Sequence, residues 1–559
     1  MMKKRVLSLI LATALAVTAL AGCGQKNGTE SKVEVVSSET TAASESTAPV
    51  EESSNFNEEG YPIVNEEITL KVLIAVRDND NLTDLEDMPV LQRLEEQTGI
   101  KVEWEAIKAS EWDTKLNLIM VSGEYPDIII GHKGGDISTE QYGVDQKILI
   151  PLDDLIEKYA PLYTERIAME EKDPTANLVA SDGQTYTMGF YVATGATIAR
   201  HYFIKQNWLD ALNLEMPKDL DSLTNVLRAF KTQDPNGNGE ADEIPIVSSL
   251  DQSATYCILP FLSMFGVPYR SESWLYIDDN KQVQFVPTQD GYRECMEWLH
   301  MCYEEGLLDT EVVSQDGKAC TAKIAEDKAG FFIGHRLHGS NIDSVADDYV
   351  LYMPWEGTVF SNGISGADPS VYFTCTNQYP EASMRWVNAW LEVETAFSMY
   401  YGEYNEEQKS GVNGWYYGED GKIVSTGASS SGASNAMDYL GVNGIFFAPV
   451  NWYFAIYNQP LSRTEKMEFV KAYIDAGLTS TTYSHSYLDD HVKFDVEELT
   501  IIERIATDIN NAVNEHMATF VVDGVTDASW DKYVKLFEGM NVAEYMKMYQ
   551  EKIDALEIK

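Results

Sequence analysis

Positive charge is what this chain has least of: 41 Lys and Arg stand against 89 Asp and Glu, a formal net charge of −48. A surface so poor in basic groups excludes nucleic-acid binding, because phosphate recognition needs a basic face. It equally excludes electrostatic capture of anionic lipids. The acidity itself serves solubility and names no ligand. Catalytic signatures are missing too: there is no GxSxG elbow, HExxH, P-loop or CxxC pair. Carboxylate pairs are so abundant that a glycosidase dyad chosen from sequence would be arbitrary. His201, His300, His485, His491 and His516 are scattered rather than grouped like metal ligands. The chain therefore reads as a non-enzyme. Cysteine is sparse, six in 559 residues. Apart from Cys23 these are Cys257, Cys295, Cys302, Cys320 and Cys375, an odd set expected to be buried free thiols, with one disulfide as the alternative. No second hydrophobic span follows the N-terminal one.

What is present starts with an address. Lys3, Lys4 and Arg5 precede the apolar run Val6 to Leu20, the layout of a secretory signal. The run ends in Leu20-Ala21-Gly22-Cys23, which resembles a bacterial lipobox. Small residues admit the peptidase, and the Cys23 thiol takes the lipid. Residues 1–22 are thus a lipoprotein signal peptide, and the mature chain is tethered to the membrane by lipid alone, on the outer face of the cytoplasmic membrane. Residues 23–60 are rich in Ser, Thr and Glu and bury too little apolar surface to offset ordering entropy, so a disordered stalk is expected.

Beyond the stalk, 44% hydrophobic and 11% aromatic content describes a globular body too long for one core. Strands expected at 68–76, 101–107, 128–130, 329–334 and 371–376 alternate with helices at 89–98, 111–122, 288–305 and 380–398. That alternation implies an α/β fold with a largely parallel sheet, and the tail from 463 is amphipathic and helical. In 219–246, Leu223, Val226, Leu227 and Phe230 form one helical stripe, which breaks into an acidic, Gly-broken loop. There Asp234, Asn236 and Asn238 alternate so that their oxygens can converge, and Gly237 and Gly239 allow the tight turn. The Glu240 carbonyl, Asp242 and Glu243 complete a hard-oxygen set suited to structural calcium. Pro245 stands where an EF-hand needs its bidentate Glu, so this is not an EF-hand. The alternative is a solvated Asx/Gly turn without metal.

Several stretches in order resemble one family: LEEQTGIKVEWE (94–105), GEYPDIII (123–130), IKQNWLDALNLEMPKDLDSLTNVLRAF (204–230), DPNGNGEADEIPI (234–246) and EEGLLDTE (304–311). They look like family 1 extracellular solute-binding proteins, the lipid-anchored receptors of carbohydrate ABC importers, and in particular the alginate-oligosaccharide-binding and maltodextrin-binding members. The resemblance implies a two-lobed periplasmic-binding-protein-like fold with a hinge, an interlobe ligand cleft and a helical C-terminal tail. The expected division is 61–195 plus about 328–398 for lobe 1, and about 196–327 plus 399–559 for lobe 2, which carries the loop 234–243. The ligand would be a sugar or oligosaccharide and the partner an importer permease, the receptor itself being a monomer. A non-sugar solute such as a peptide, or a surface glycosidase or adhesin, are the alternatives. Sugars are held by aromatic faces and planar polar groups outside the carboxyl ends of strands. Trp452 and Tyr453 follow a Gly/Pro-broken apolar stretch. His335 and Arg336 leave the strand 329–334, and His132 and Lys133 leave 128–130. Tyr191 and Trp355 lie near the expected lobe crossings. These eight residues form the candidate ligand set.

Overall fold

The computed structural model describes residues 55–556 apart from 77–83, 132–136, 171–172, 193–199, 252–255, 269–272, 279, 339, 362–365, 408–413, 427–446, 449–455, 457–460, 481–487 and 489–491. Cys23 and the signal segment therefore lie outside the described residues.

The first sheet grows from three apolar runs. Strands β1 (Ile68–Val76), β2 (Ile100–Lys108) and β3 (Ile128–Ile130) are parallel, with β1 in the middle. Successive side chains of a strand point to opposite faces, and the core divides accordingly. Val72, Ile74, Ile128 and Ile130 face one layer, while Leu73, Ala75 and Ile129 face the other. The helix Pro89–Thr98 covers the first face with Val90, Leu91 and Leu94. It begins on a proline and ends where Gly99 turns left-handed at φ 75°. The helix Trp112–Ser122 covers the second with Trp112, Leu116 and Met120, spaced at i, i+4 and i+8. Strands β4 (Met188–Val192), β12 (Asp368–Phe373) and β15 (Phe447–Ala448) complete a six-stranded sheet ordered β15-β4-β12-β3-β1-β2. Within it only β12 runs against the rest.

A second, four-stranded sheet is ordered β10-β5-β9-β6. It is built from β5 (His201–Lys205), β6 (Ile244–Val247), β9 (Ala329–Gly334) and β10 (Tyr349–Leu351). Here β5 is the antiparallel member. Peripheral ribbons are β7–β8 (Leu275–Ile277, Val283–Phe285), β11–β16 (Phe360–Ser361, Thr479–Ser480) and β13–β14 (Trp415–Tyr417, Ile423–Ser425). The tail folds as the helices Val496–Asp523, Asp527–Gly539 and Val542–Ala555, the first two opened by capping boxes at Asp495/Glu498 and Thr526/Ser529. Ile505, Ile509, Val513 and Phe520 join the same core as Cys295, Leu299 and Cys302 of the helix Asp290–Glu304.

The chain crosses between the sheets from the end of β4 to the start of β5. It crosses back from the end of β10, through β11, to the start of β12. Because β5 and β12 are the antiparallel members, both crossings join the carboxyl edge of one sheet to the carboxyl edge of the other.

Three expectations are corrected. Strand β9 and residues up to β10, expected in lobe 1, pair within the four-stranded sheet, and β15, expected in lobe 2, pairs with β4 in the six-stranded one. A run such as AGFFIG, buried along its whole length, does not encode which neighbours it pairs with. The helix expected over 380–398 is two, Pro380–Ala389 and Val393–Tyr401. At the break, the Leu391 carbonyl accepts a hydrogen bond from the buried Arg166 guanidinium, which also donates to the Phe447 carbonyl at 2.8 Å. Finally, order begins before residue 61. Phe56 packs edge-on against Tyr159 at 5.4 Å and the Asn57 amide donates to the Ile63 carbonyl at 2.8 Å.

Candidate functional site

At the carboxyl edge of the four-stranded sheet stand three of the residues that sequence singled out, His335, Arg336 and Trp355. Strands β3 and β15 point the same way in the six-stranded sheet, so both end at its carboxyl edge, and His132, Lys133, Trp452 and Tyr453 follow them in the sequence. Those four residues lie outside the described residues. On the opposing sheet, β9 delivers His335 and Arg336, both half-buried, and β10 leads to Trp355 from the same edge. Trp355 is half-buried and rests on the core beneath that sheet. Tyr191 stands apart: it is buried within β4, with its ring 5.0 Å from Phe447, and desolvation pushes its hydroxyl pKa up. In this structure its surface is used for packing.

The turn after β9 is held from outside. Leu337 is core, 4% exposed, and anchors the turn. The backbone amides of Leu337 and His338 both donate to Glu465 Oε2 at 3.2 Å. The imidazole Nδ1 of His338 lies 3.0 Å from Glu465 Oε1, and its Nε2 lies 3.3 Å from Asp347 Oδ1. Burial pulls the His338 pKa down, but the Glu465 and then the Asp347 carboxylates outweigh it and raise the value. Sequence reading missed Glu465. It sits on the helix Leu461–Asp475, 127 positions from His338, and no local pattern links the two.

The acidic loop follows the helix Leu220–Thr232, which opens with a capping box at Asp219/Ser222 and buries Leu223, Val226, Leu227 and Phe230 as the stripe predicts. Asp234 sits at φ 47°, Gly237 at 69° and Gly239 at 81°, so the backbone curls left-handed three times in six residues. That curl turns amides inward. Asp234 Oδ1 and Oδ2 accept from Asn238 N at 3.1 Å and Gly239 N at 3.0 Å. Asn236 Oδ1 accepts from Asn238 N at 3.0 Å, and Asn238 Oδ1 accepts from Glu240 N at 2.7 Å. Asp242 Oδ1 accepts from the Asn238 amide at 3.0 Å.

Two observations test whether this loop suits a cation. Glu243 is 1% exposed, and among the described residues its Oε1 has no hydrogen-bond partner. An orphaned buried carboxylate oxygen is costly unless positive charge meets it. Desolvation, against help from its own amide and with repulsion from Asp242 and Asp234, raises the Glu243 pKa. Against this, among the described residues no three His, Cys, Asp or Glu side chains converge as metal ligands. A site here has to draw on the two Asn amide oxygens and a carbonyl as well. The donor set fits a hard cation on those terms.

The cysteines are partly as expected. Cys257, Cys295, Cys302 and Cys320 are buried free thiols, and burial pushes Cys320 up to about 12. Cys375 is exposed instead.

The bacterial extracellular solute-binding protein family matches residues 79–396, more than half of the chain. FusA of Streptococcus pneumoniae, a fructooligosaccharide ABC transporter substrate-binding protein, is 26% identical over 491 residues, 83% of this chain and 86% of FusA. FusA in complex with kestose superposes with a TM-score of 0.71 at 25% identity, covering 87% of this chain and 99% of that one. An EF-hand mutant of FusA with fructo-nystose gives the same TM-score at 24% identity and the same coverage. The lipoprotein LipO of Bacillus subtilis is 27% identical over 288 residues, 50% of this chain and 53% of LipO. Two sheets joined through their carboxyl edges are the two lobes of that architecture, and the chain belongs to the bacterial extracellular solute-binding proteins of ABC transporters, which bind their solutes and are not enzymes.

Proposed function

We propose that this chain captures an oligosaccharide between its two lobes and hands it to the permease of an ABC importer. The observation that carries the reading is that the chain passes between its two sheets from carboxyl edge to carboxyl edge, with Arg336, His335 and Trp355 following the ends of β9 and β10 at one of those edges; His132, Lys133, Trp452 and Tyr453 would join them from the other lobe. Planar polar groups would hydrogen-bond the hydroxyls, and an aromatic face would cover C–H surface. Likeness to FusA over most of both chains makes a fructose-containing oligosaccharide the first candidate. Ligand that touches both lobes stabilises the closed form, and the closed form is what a transporter can read. The tether is lipid on Cys23 after removal of residues 1–22, a reading that the likeness to LipO supports, and the chain acts as a monomer.

Calcium belongs to the same proposal. Asp234, Asn236, Asn238, the Glu240 carbonyl, Asp242 and Glu243 would hold it, and it would neutralise the buried Glu243 carboxylate. Its role is structural, because the loop lies at the end of a helix and β6 carries the chain on from it.

The test is a thermal-shift screen of the full chain against kestose, nystose, alginate and malto-oligosaccharides, with and without chelator. Ligand at a hundred times its Kd adds about 2.7 kcal/mol of stability. A fructose-containing oligosaccharide is expected to raise the melting temperature, and chelation to lower it. Indifference to every glycan sinks the sugar reading. A melting temperature unmoved by chelator and by added calcium sinks the metal.

A further inference from the structure

The turn after β9 carries a device that solute binding does not by itself require. Both ring nitrogens of His338 face carboxylates, Glu465 from the helix Leu461–Asp475 and Asp347 from the turn Ala346–Asp348. A neutral imidazole owns one N–H and one lone pair. It can donate to Glu465 or to Asp347, and the other nitrogen then sets a lone pair against carboxylate oxygen. Only the imidazolium satisfies both. The remaining oxygen of Glu465 is already engaged by the Leu337 and His338 amides, so the carboxylate grips backbone and ring together. Its side chain is 11% exposed, whereas that of Asp347 is 95% exposed. Glu465 is therefore the fixed jaw and Asp347 the loose one.

We infer that Glu465 and His338 form a proton-dependent clamp that positions the turn bearing His335 and Arg336, and so sets oligosaccharide affinity through the protonation of His338. They are positioning residues, acting through Arg336 and His335, and the inference rests on the proposed ligand role of that turn. Among the described residues, the titratable groups facing His338 are Glu465 and Asp347; the same stretch also carries His335, Arg336 and Asp343.

The direction follows from linkage. The folded-state pKa of His338 is raised, by Glu465 and then Asp347 against the pull of burial. Stabilisation from the clamp is thus present in full below the ordinary histidine value of about 6.5. It fades as pH climbs through the higher folded value. Above that, Asp347 can swing into solvent while the Glu465–amide bonds remain, so the turn loosens without unfolding. If ligand binds only the clamped turn, apparent Kd rises by the inverse of the fraction clamped. Ligand in turn tightens proton binding at His338 by the same factor.

The experiment measures kestose Kd and melting temperature of the full chain from pH 5.5 to 9, for the native protein and for His338→Asn, Glu465→Gln and Asp347→Asn. The native protein is expected to lose about three- to tenfold in affinity as His338 deprotonates. His338→Asn should give a flat profile near the native high-pH affinity, and Asp347→Asn, altering an exposed side chain, should keep the fold and move the midpoint to lower pH. Glu465→Gln should weaken binding most at low pH. A His338→Asn profile that parallels the native one overturns the clamp, as does an Asp347→Asn midpoint at or above the native one. Should no oligosaccharide bind, the ligand reading fails separately. The clamp then stands if native and His338→Asn melting temperatures converge at high pH and falls if their difference does not depend on pH.

Discussion

In the proposed reading, Arg336 is the described residue on which ligand recognition would turn. It leaves β9 half-buried, with a planar fork of donors suited to sugar hydroxyls and their ring oxygens. Replacing it with Ala should weaken kestose binding by about 1.5–3 kcal/mol, the worth of hydrogen bonds from a charged group, by more than any accompanying change in the stability of the free chain. Calorimetric titration measures the first and a thermal melt the second; equal affinity in the variant removes Arg336 from the site. At this scale the sequence was legible where chemistry is local. Asp234, Asn236 and Asn238 are gathered by amides no more than five residues away, so alternation alone announced them. Tyr191 was less legible, because a strand aromatic near a crossing can face either a cleft or a core. Only the neighbouring Phe447, from a strand more than two hundred positions on, placed it in packing.

At the scale of elements, β9 is an interior strand of the four-stranded sheet. It pairs with β5 and β6, so its carboxyl end cannot shift without disturbing both. Gly330 within it has a specific reason. A Cβ there would lie 2.5 Å from Phe230 Cδ2 and 3.1 Å from Trp208 Cζ3, where the helices Leu220–Thr232 and Gln206–Ala211 press on the strand. Gly330→Ala should therefore destabilise the chain by about 1–3 kcal/mol through overpacking, read as a lower urea midpoint with unchanged slope. A variant as stable as the native chain would mean that Phe230 swings aside freely. Element existence came through in the sequence because periodicity reports it: the runs at 68–76, 89–98, 128–130 and 329–334 all stand where the apolar spacing put them. Interruption did not. The break between Ala389 and Val393 hangs on Arg166 seizing a carbonyl 225 positions away, and nothing in 380–398 itself signals it.

For the whole molecule, the crossings are not the only links between the two sheets. Lys493, flanked by Val492 and Phe494 of the core beneath the four-stranded sheet, donates to the Asn177 carbonyl at 2.7 Å. Asn177 in turn donates to the Ala367 carbonyl beside the start of β12 in the six-stranded sheet. Lys493 thus bridges the two bodies. Lys493→Met should enlarge the radius of gyration of the ligand-free chain in small-angle scattering and weaken kestose binding by up to about 1.5 kcal/mol. Scattering identical to that of the native chain would show that the bridge plays no part in closure.

By itself the sequence determined the α/β alternation, the helical tail, the oxygen-rich loop and the likeness to solute-binding proteins, because each is written in residues that lie close together along the chain. Which sheet takes β9, where the lobes divide, and how Glu465 reaches His338 were decided only in three dimensions. Those outcomes depend on pairings between segments 85 or more residues apart. Apolar and charged patterns state that a partner is needed, and the tertiary structure alone selects which one arrives.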